Sequence, residues 1–489
     1  MKENILGTEK ISKLMLKFSI PCIISLLVNS LYNIVDQIFI GWGVGYLGNG
    51  ATNVVFPITM ISLAFSLMLG DGAGAFLSIK LGEKKKEEAS TGVGNAITLS
   101  VIVSTLLCIV SLIFMPKLLS LFGATEELLP YAKSYGYIIA IGIPFMMIGT
   151  TLNSIIRSDG QPAYAMKTMV IGAILNTILD PIFIFVFKWG VTGAALATII
   201  SQILTFILNV LYLKKIKSIK INKKSFKLTK EASKKVSTLG ISSFITQMSF
   251  VLVITVENNM LKKYGIDSKF GPNIPITVLG IVMKISQILN SIIVGLAVGA
   301  QPILGYNYGA EKYDRVKQTL KTTLKVSLII STIAFILFQT IPDKLIGLFG
   351  GGDELYIEFA CMSFRIYLML VIFNGVQIPS GIFFQAIGKS SKSAIISLSR
   401  QIVFLIPAMF ILGYLYGIDG ILYSGPGADA AAFILAGIFI VREMKRLSEN
   451  DEEKINKKED LKSDKMPNKK VIITISREYG SGGRYIGKL

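Results

Sequence analysis

Four carboxylic acids lie inside long apolar stretches of this sequence: Asp36, Asp71, Asp180 and Glu257. A carboxylate in the hydrocarbon of a membrane costs about 2.5 to 3.5 kcal/mol or more, so each such acid is a candidate for function. The sequence contains no histidine, which excludes imidazole proton relays and histidine metal sites. Any proton handling therefore falls to carboxylates, tyrosines or lysines.

Asp36 ends a polar stripe along its predicted helix. Ser25, Asn29 and Asn33 precede it at steps of about one helical turn, and residues at this spacing share one helix face. We expect this face to border a cavity or the protein interior rather than lipid.

Asp180 follows Asn176 by four residues, which places both side chains on nearly the same helix face. Asp36 and Asp180 each lie in the outer half of a predicted helix, so the two acids could meet. Two neighbouring carboxylates in a low-dielectric pocket cannot both ionise cheaply. The pair is therefore predicted to hold a proton or bind a cation, and to titrate as one unit.

The other two acids each have a structural alternative. Asp71 lies between Gly70 and Gly72, where its carboxylate could simply hydrogen-bond backbone exposed at the glycines. Glu257 lies near an outer helix end and is a candidate cation or substrate contact. Its alternative is a structural ion pair with Lys284 in the following helix.

The composition indicates a membrane protein. Of 489 residues, 52% are hydrophobic and 17% are charged, and the mean hydropathy is +0.60; soluble domains have roughly 25% charged residues. Apolar runs such as 96–115 and 285–300 approach the length of about 20 residues that a spanning helix needs. The three cysteines, Cys22, Cys108 and Cys361, lie in separate apolar stretches and do not indicate a disulfide framework.

The apolar periodicity predicts an all-α integral membrane protein with twelve transmembrane helices. The first is expected to be retained rather than cleaved as a signal peptide. The predicted helices cover 13–41, 53–81, 90–115, 129–157, 162–188, 190–213, 236–262, 275–304, 318–341, 356–386, 390–414 and 417–442.

The net charge of +19 is concentrated in particular loops. Lysines crowd residues 214–235 and 84–86, whereas residues 42–52 carry no positive charge. This asymmetry follows the positive-inside rule and predicts that both chain termini are cytoplasmic. Nucleic-acid binding is not expected, because the basic segments lack interleaved aromatic residues.

The sequence repeats itself at a shift of 227 residues. Gly82 then coincides with Gly309, Gly190 with Gly417 and Leu77 with Leu304, while Gly160 meets Gly388 one residue out of step. The repeat predicts two pseudo-symmetric six-helix bundles with a substrate cavity between them. The predicted domains are an N-lobe (1–213), a basic cytoplasmic loop (214–235) and a C-lobe (236–442).

Several motifs resemble the multidrug and toxic compound extrusion (MATE) family. In the first half they are LNSIIRSDGQP (152–162), NTILDPIF (176–183) and GVTGAALAT (190–198). In the second half they are GAQP (299–302), GYNYGA (305–310), FQAIGK (384–389) and SRQ (399–401). The resemblance covers residues 10 to 445 and implies an antiporter, not an enzyme, in a bacterial cell membrane.

The resemblance also implies a site. Asp36, Asn176 and Asp180 match the coupling residues of the family, and Asn153, Thr198 and Tyr135 surround them. The expected coupling ion is H⁺ or Na⁺, with no cofactor and no resident metal. The expected substrates are small, often cationic organic molecules, and the expected functional unit is a monomer in the lipid bilayer.

Two further function classes stay open at this point. A flippase of a lipid-linked precursor could share the architecture, but its cavity should carry several arginines or lysines for phosphate. An enzyme acting within the membrane would need a nucleophile with a base, or a metal cluster, and the absence of histidine removes the usual ones.

The end of the sequence breaks the pattern. Residues 443–470 are charged and poor in apolar side chains, as expected for a solvated linker. Residues 471–489 then resemble the first strand and glycine-rich loop of a cytidylate kinase-like domain. Leu489 stands where a phosphate-binding loop needs Ser or Thr, so kinase activity is not expected from this segment.

Overall fold

The computed structural model describes residues 4–271, 273–347 and 354–463. Every regular element in these ranges is helical. The α-helices are α1 (Ile11–Val44), α2 (Tyr46–Gly82), α3 (Lys86–Leu121), α4 (Leu129–Ser158), α5 (Pro162–Pro181), α6 (Gly190–Leu213), α7 (Lys230–Ile266), α8 (Asn273–Gly309), α9 (Tyr313–Thr340), α10 (Pro342–Gly347), α11 (Glu354–Tyr367), α12 (Asn374–Ala386), α13 (Ser390–Leu398) and α14 (Ile406–Ser463).

Within the described ranges, ten helices are long and apolar enough to cross a membrane. The bent pair Glu354–Tyr367 and Val371–Ala386 adds an eleventh span. The last of the ten, Ser390–Glu452, is 63 residues long, about three times what one crossing needs. It is divided at Gly417, whose φ of 62° is not helical, and this division adds the twelfth span that the sequence predicts.

The predicted helix 356–386 is broken rather than continuous. Its two parts, α11 and α12, meet at an angle of 46°. Pro379 has no N–H to donate to the carbonyl of Gly375 one turn earlier. Pro379 lies inside α12, beyond the break, and Ser327 on α9 donates its hydroxyl to the Gly375 carbonyl instead, at 2.5 Å. A neighbouring helix thus satisfies the carbonyl that the proline leaves free.

Helix α7 begins at Lys230, six residues before its predicted start at 236. The Asn95 side chain on α3 supports this extra turn by accepting hydrogen bonds from the Thr229 backbone N–H at 2.7 Å and the Ser233 hydroxyl at 3.0 Å. The first N–H groups of a helix need such acceptors. Here the acceptor belongs to another helix, which local periodicity does not reveal.

The internal repeat is confirmed by backbone conformation. Lys84 and Glu311, 227 residues apart, have φ values of 64° and 54°, an uncommon conformation for residues other than glycine. Gly190 and Gly417 form a second such pair, with φ values of 56° and 62°. The chain therefore folds as two related bundles, the first containing α1 to α6 and the second α7 to α14.

The two bundles meet near one end of the molecule. This end, called the basic face, carries the lysines of 84–86 and 214–235. One core cluster near the basic face combines both bundles, with Phe18 and Leu77 packing in the same cluster as Leu304 and Phe384. Toward the opposite face the core divides into two clusters, each built from a single bundle.

Glycines permit the close approach of the bundles. A methyl group at Gly240 on α7 would lie 1.7 Å from the carbonyl oxygen of Met68 on α2, and one at Gly72 would lie 2.2 Å from that of Val236. Gly82 on α2 lies equally close to α8, because a methyl group there would be 2.1 Å from the Tyr306 carbonyl oxygen. The bundles are thus in contact toward the basic face and diverge toward the opposite face.

The sequence predicts a solvated linker at 443–470. This prediction is wrong for the first part of the segment, because helix α14 continues to Ser463. Glu443 is only 1% exposed and binds both Lys389 and Lys392, the latter at 2.8 Å. Two lysines and the buried Leu447 therefore hold this charged segment against the second bundle. The kinase-like segment 471–489 lies outside the described residues.

Candidate functional site

The structure brings Asp36 and Asp180 together. Asp36 lies on α1 and Asp180 in the last turn of α5, and these helices pack along each other. The two carboxyl groups are close enough to interact directly, and two buried carboxyl groups this close cannot both ionise cheaply. Asn176 donates its side-chain N–H to Asp180 Oδ1 at 3.3 Å, so all three predicted residues form one cluster.

Three oxygen atoms of this cluster are buried without a hydrogen-bond donor in the described structure: Asp36 Oδ1, Asn176 Oδ1 and Asp180 Oδ2. Asp180 is fully buried and Asn176 is 2% exposed. Leaving a buried acceptor unsatisfied costs about 1 to 3 kcal/mol, and more for charged groups. Oxygen ligands of this kind suit a proton or a hard cation.

Two tyrosines border the acid pair. Tyr135 on α4 is 8% exposed and lies close to both acids. Tyr32 on α1 is also adjacent to both, although the sequence interpretation missed it. Tyr32 lies four residues before Asp36, and this spacing places both on the same helix face. The spacing alone therefore indicates that Tyr32 is near the acid pair.

Local sequence explains how α1 reaches the acid on α5. After Pro181 the chain forms a π-helical turn, Ile182–Val186. The sequence predicts a continuous helix over 162–188 and gives no sign of this turn. Gly43 of α1 lies against this turn, and a methyl group there would be 2.1 Å from Ile184 Cγ2. Such turns widen a helix and often occur at functional sites.

Asn153 lies in a different cluster, closer to the basic face. Its side-chain oxygen accepts a hydrogen bond from Arg157 at 3.0 Å. Arg157 also pairs with Asp71 at 3.3 Å, and Asp71 accepts hydrogen bonds from Ser154 at 3.0 Å and Ser243 at 2.9 Å. The partners of Asp71 are therefore side chains rather than glycine backbone, and Ser243 connects the first bundle to the second.

Thr198 lies on α6 with a half-buried side chain. Among the described residues it has no hydrogen-bond partner that would tie it to the acid pair. Its place in the pocket therefore rests on the sequence resemblance.

Glu257 is 3% exposed and lies close to the Tyr367 side chain. Arg400 is also close to Glu257, and its Nε pairs with Asp429 Oδ1 at 2.7 Å. The expected ion pair with Lys284 is wrong, because Lys284 is exposed and Glu257 faces Tyr367 and Arg400 instead. Asp429, an acid in an apolar segment, was missed by the sequence interpretation.

Comparison with known proteins agrees with this architecture. The MatE family model matches residues 21–182 and 268–411. The multidrug export protein MepA of Staphylococcus aureus is 28% identical over 448 residues, covering 91% of this chain and 96% of the relative.

Solved structures share the fold. An outward-facing multidrug resistance MATE family transporter superimposes with a TM-score of 0.85 at 23% identity, covering 92% of this chain and 99% of the other. A MOP superfamily transporter from Pyrococcus furiosus gives a TM-score of 0.84 at 23% identity, with the same coverage. The chain belongs to the MatE family and is a multi-pass membrane transporter rather than an enzyme.

Proposed function

We propose that this protein is a cation-coupled antiporter that exports small, often cationic organic molecules by alternating access. The main support is the cluster of three buried oxygen atoms, on Asp36, Asn176 and Asp180, that have no donor among the described residues. A proton or Na⁺ would satisfy these atoms, and its presence would change the charge of the cavity wall. Its MepA relative is a multidrug export protein, which supports export of several drugs.

The proposed cycle follows from the shape of the molecule. Because the bundles diverge toward the opposite face, we propose that the coupling ion enters from that side. Neutralising the pair removes the cost of buried charge and changes how α1 packs against α5. Pro21 interrupts the hydrogen bonding of α1 and is the proposed point where α1 bends, releasing substrate toward the opposite face.

The C-lobe acid has a secondary role in this proposal. Glu257 is close to Arg400, which is itself paired with Asp429. A cation is attracted less strongly to an acid that already has a neighbouring positive charge. We therefore assign coupling to the first bundle and leave Glu257 as a secondary contact.

We further propose that the basic face is cytoplasmic, with both termini on that side of the cell membrane. Positive loops are retained in the cytoplasm during insertion. The predicted boundaries, 1–213 for the N-lobe, 214–235 for the loop and 236–442 for the C-lobe, are part of this proposal. One chain contains both lobes, which supports a monomer as the functional unit.

Cysteine labelling tests the orientation. In a variant with Cys22, Cys108 and Cys361 replaced by serine, a cysteine at the exposed Lys224 should react with an impermeant thiol reagent only from the cytoplasmic side. A cysteine at exposed Lys188, at the end of the π-helical turn, is the matched control and should react only from outside. The reverse pattern would show that the orientation is inverted.

Transport in liposomes tests the function. Purified protein should move a fluorescent organic cation when a proton or Na⁺ gradient is imposed, and the effective gradient identifies the coupling ion. A lipid-linked precursor flippase is the alternative, but the charged side chains at the acid pair are carboxylates rather than the arginines or lysines that phosphate requires. Movement of a lipid-linked phosphate, without movement of organic cations, would favour the flippase.

A further inference from the structure

A groove of about 560 Å³ lies between α9 and the extension of α14 at the basic face, and neither Asp36 nor Asp180 lines it. Its walls carry three lysines but only one aspartate. The polar residues that line it include Asp314, Lys317, Gln318, Lys321, Lys445 and Ser448. The groove is therefore a positively charged depression at the level where α9 enters its apolar segment.

Two of the three lysines are available to a ligand. Lys317 is already engaged, because it pairs with Asp314 at 2.9 Å and with Asp451 of α14 at 2.8 Å. These contacts hold the two helices together below the groove. Lys321 and Lys445 are exposed, and neither has a carboxylate partner among the residues that the structure describes.

The groove continues into apolar surface in the direction of the membrane centre. On α14, Ile434, Ile438 and Val441 are 60%, 44% and 69% exposed and share the helix face of Lys445 at steps of three or four residues. On α9, the exposed Leu328 lies on the face of Lys321. Each lysine thus lies at the end of a stripe of exposed apolar side chains that faces the lipid chains.

The internal repeat shows that the equivalent surface of the first bundle is covered. Gly94 on α3 corresponds to Lys321 at the shift of 227 residues, and a methyl group on Gly94 would lie 2.2 Å from the Ser225 carbonyl oxygen. Thr98 also donates a hydrogen bond to the Phe226 carbonyl, at 2.9 Å. The loop between the bundles therefore fills this surface on α3, whereas its counterpart on α9 is open and basic.

We propose that the α9–α14 groove binds the head group of an anionic phospholipid. The phosphate would lie between the ammonium groups of Lys321 and Lys445, and the acyl chains would run along the two apolar stripes. Basic pockets between transmembrane helices bind anionic head groups in this way. The lipid would join α9 to α14 and would occupy a site separate from Asp36 and Asp180.

Native mass spectrometry of the full-length protein tests the proposal. Protein in detergent is titrated with phosphatidylglycerol, and the double variant Lys321→Gln/Lys445→Gln should bind it about thirtyfold more weakly than wild type. The double variant Lys223→Gln/Lys224→Gln is the matched control. It removes two exposed lysines from the same face and should bind as wild type does. Unchanged unfolding temperatures would show that all three proteins are folded.

Three outcomes would overturn the proposal. Equal phosphatidylglycerol binding by both double variants would show that the groove is not the site. Equal binding of phosphatidylcholine by the wild type would show that net negative charge is not recognised. Displacement of the lipid by millimolar inorganic phosphate or glycerophosphate would identify a site for soluble phosphate instead.

Discussion

Asp36→Asn and Asp180→Asn should each reduce ion-driven efflux of an organic cation to the background of empty liposomes. Asparagine is nearly the same size as aspartate and still forms hydrogen bonds, so the fold should be retained. It cannot take up a proton, and it offers a coupling cation no negative charge. The measurement is export rate under an imposed proton or Na⁺ gradient, with the unfolding temperature as a check on folding.

Glu257→Gln is the matched control for these variants. It also replaces a buried intramembrane acid with an amide, but in the second bundle and beside Arg400. We expect it to reduce efflux by less than about tenfold, because the neighbouring positive charge weakens any cation site there. If both aspartate variants export normally and Glu257→Gln alone is inactive, coupling lies in the second bundle.

Gly240→Ala should impair transport by preventing close contact between the bundles. The added methyl group would lie 1.7 Å from the Met68 carbonyl oxygen, so α2 and α7 must separate. Overpacking of this kind costs about 1 to 3 kcal/mol, which shifts a conformational equilibrium on the order of tenfold. The state closed at the basic face should therefore be less populated, and the export rate should fall by a similar factor.

Gly437→Ala is the control for the glycine variant. Gly437 lies on α14, and a methyl group there meets no atom within 4 Å, so export should be unchanged. Equal export rates for Gly240→Ala and Gly437→Ala would mean that the tight α2–α7 contact is not needed for transport.

The sequence predicted the features that depend on local spacing. Twelve spans follow from apolar length, and the two bundles follow from recurring glycines such as Gly82 and Gly309. The meeting of Asp36 with Asp180 was also predictable, because both lie on polar helix faces at similar depth. The position of Tyr32 beside the pair was predictable too, because it lies four residues from Asp36 on the same helix face.

Features that depend on distant partners could not be predicted. Inside α12, Ser327 from α9 replaces the hydrogen bond that Pro379 cannot make to the Gly375 carbonyl. The pairing of Arg400 with Asp429 joins residues from separate helices. Likewise, nothing near Glu443 in the sequence indicates that Lys389 and Lys392 will bury it.

The most direct test of coupling at the acid pair is ion movement driven by substrate alone. Liposomes containing the protein are prepared with equal ion concentrations on both sides, and an organic cation gradient is imposed. Wild-type protein should then drive H⁺ or Na⁺ in the opposite direction to the substrate, and Asp180→Asn should drive neither ion. Substrate movement by wild type without any counterflow of ions, or undiminished counterflow in Asp180→Asn, would contradict a coupling site at Asp36 and Asp180.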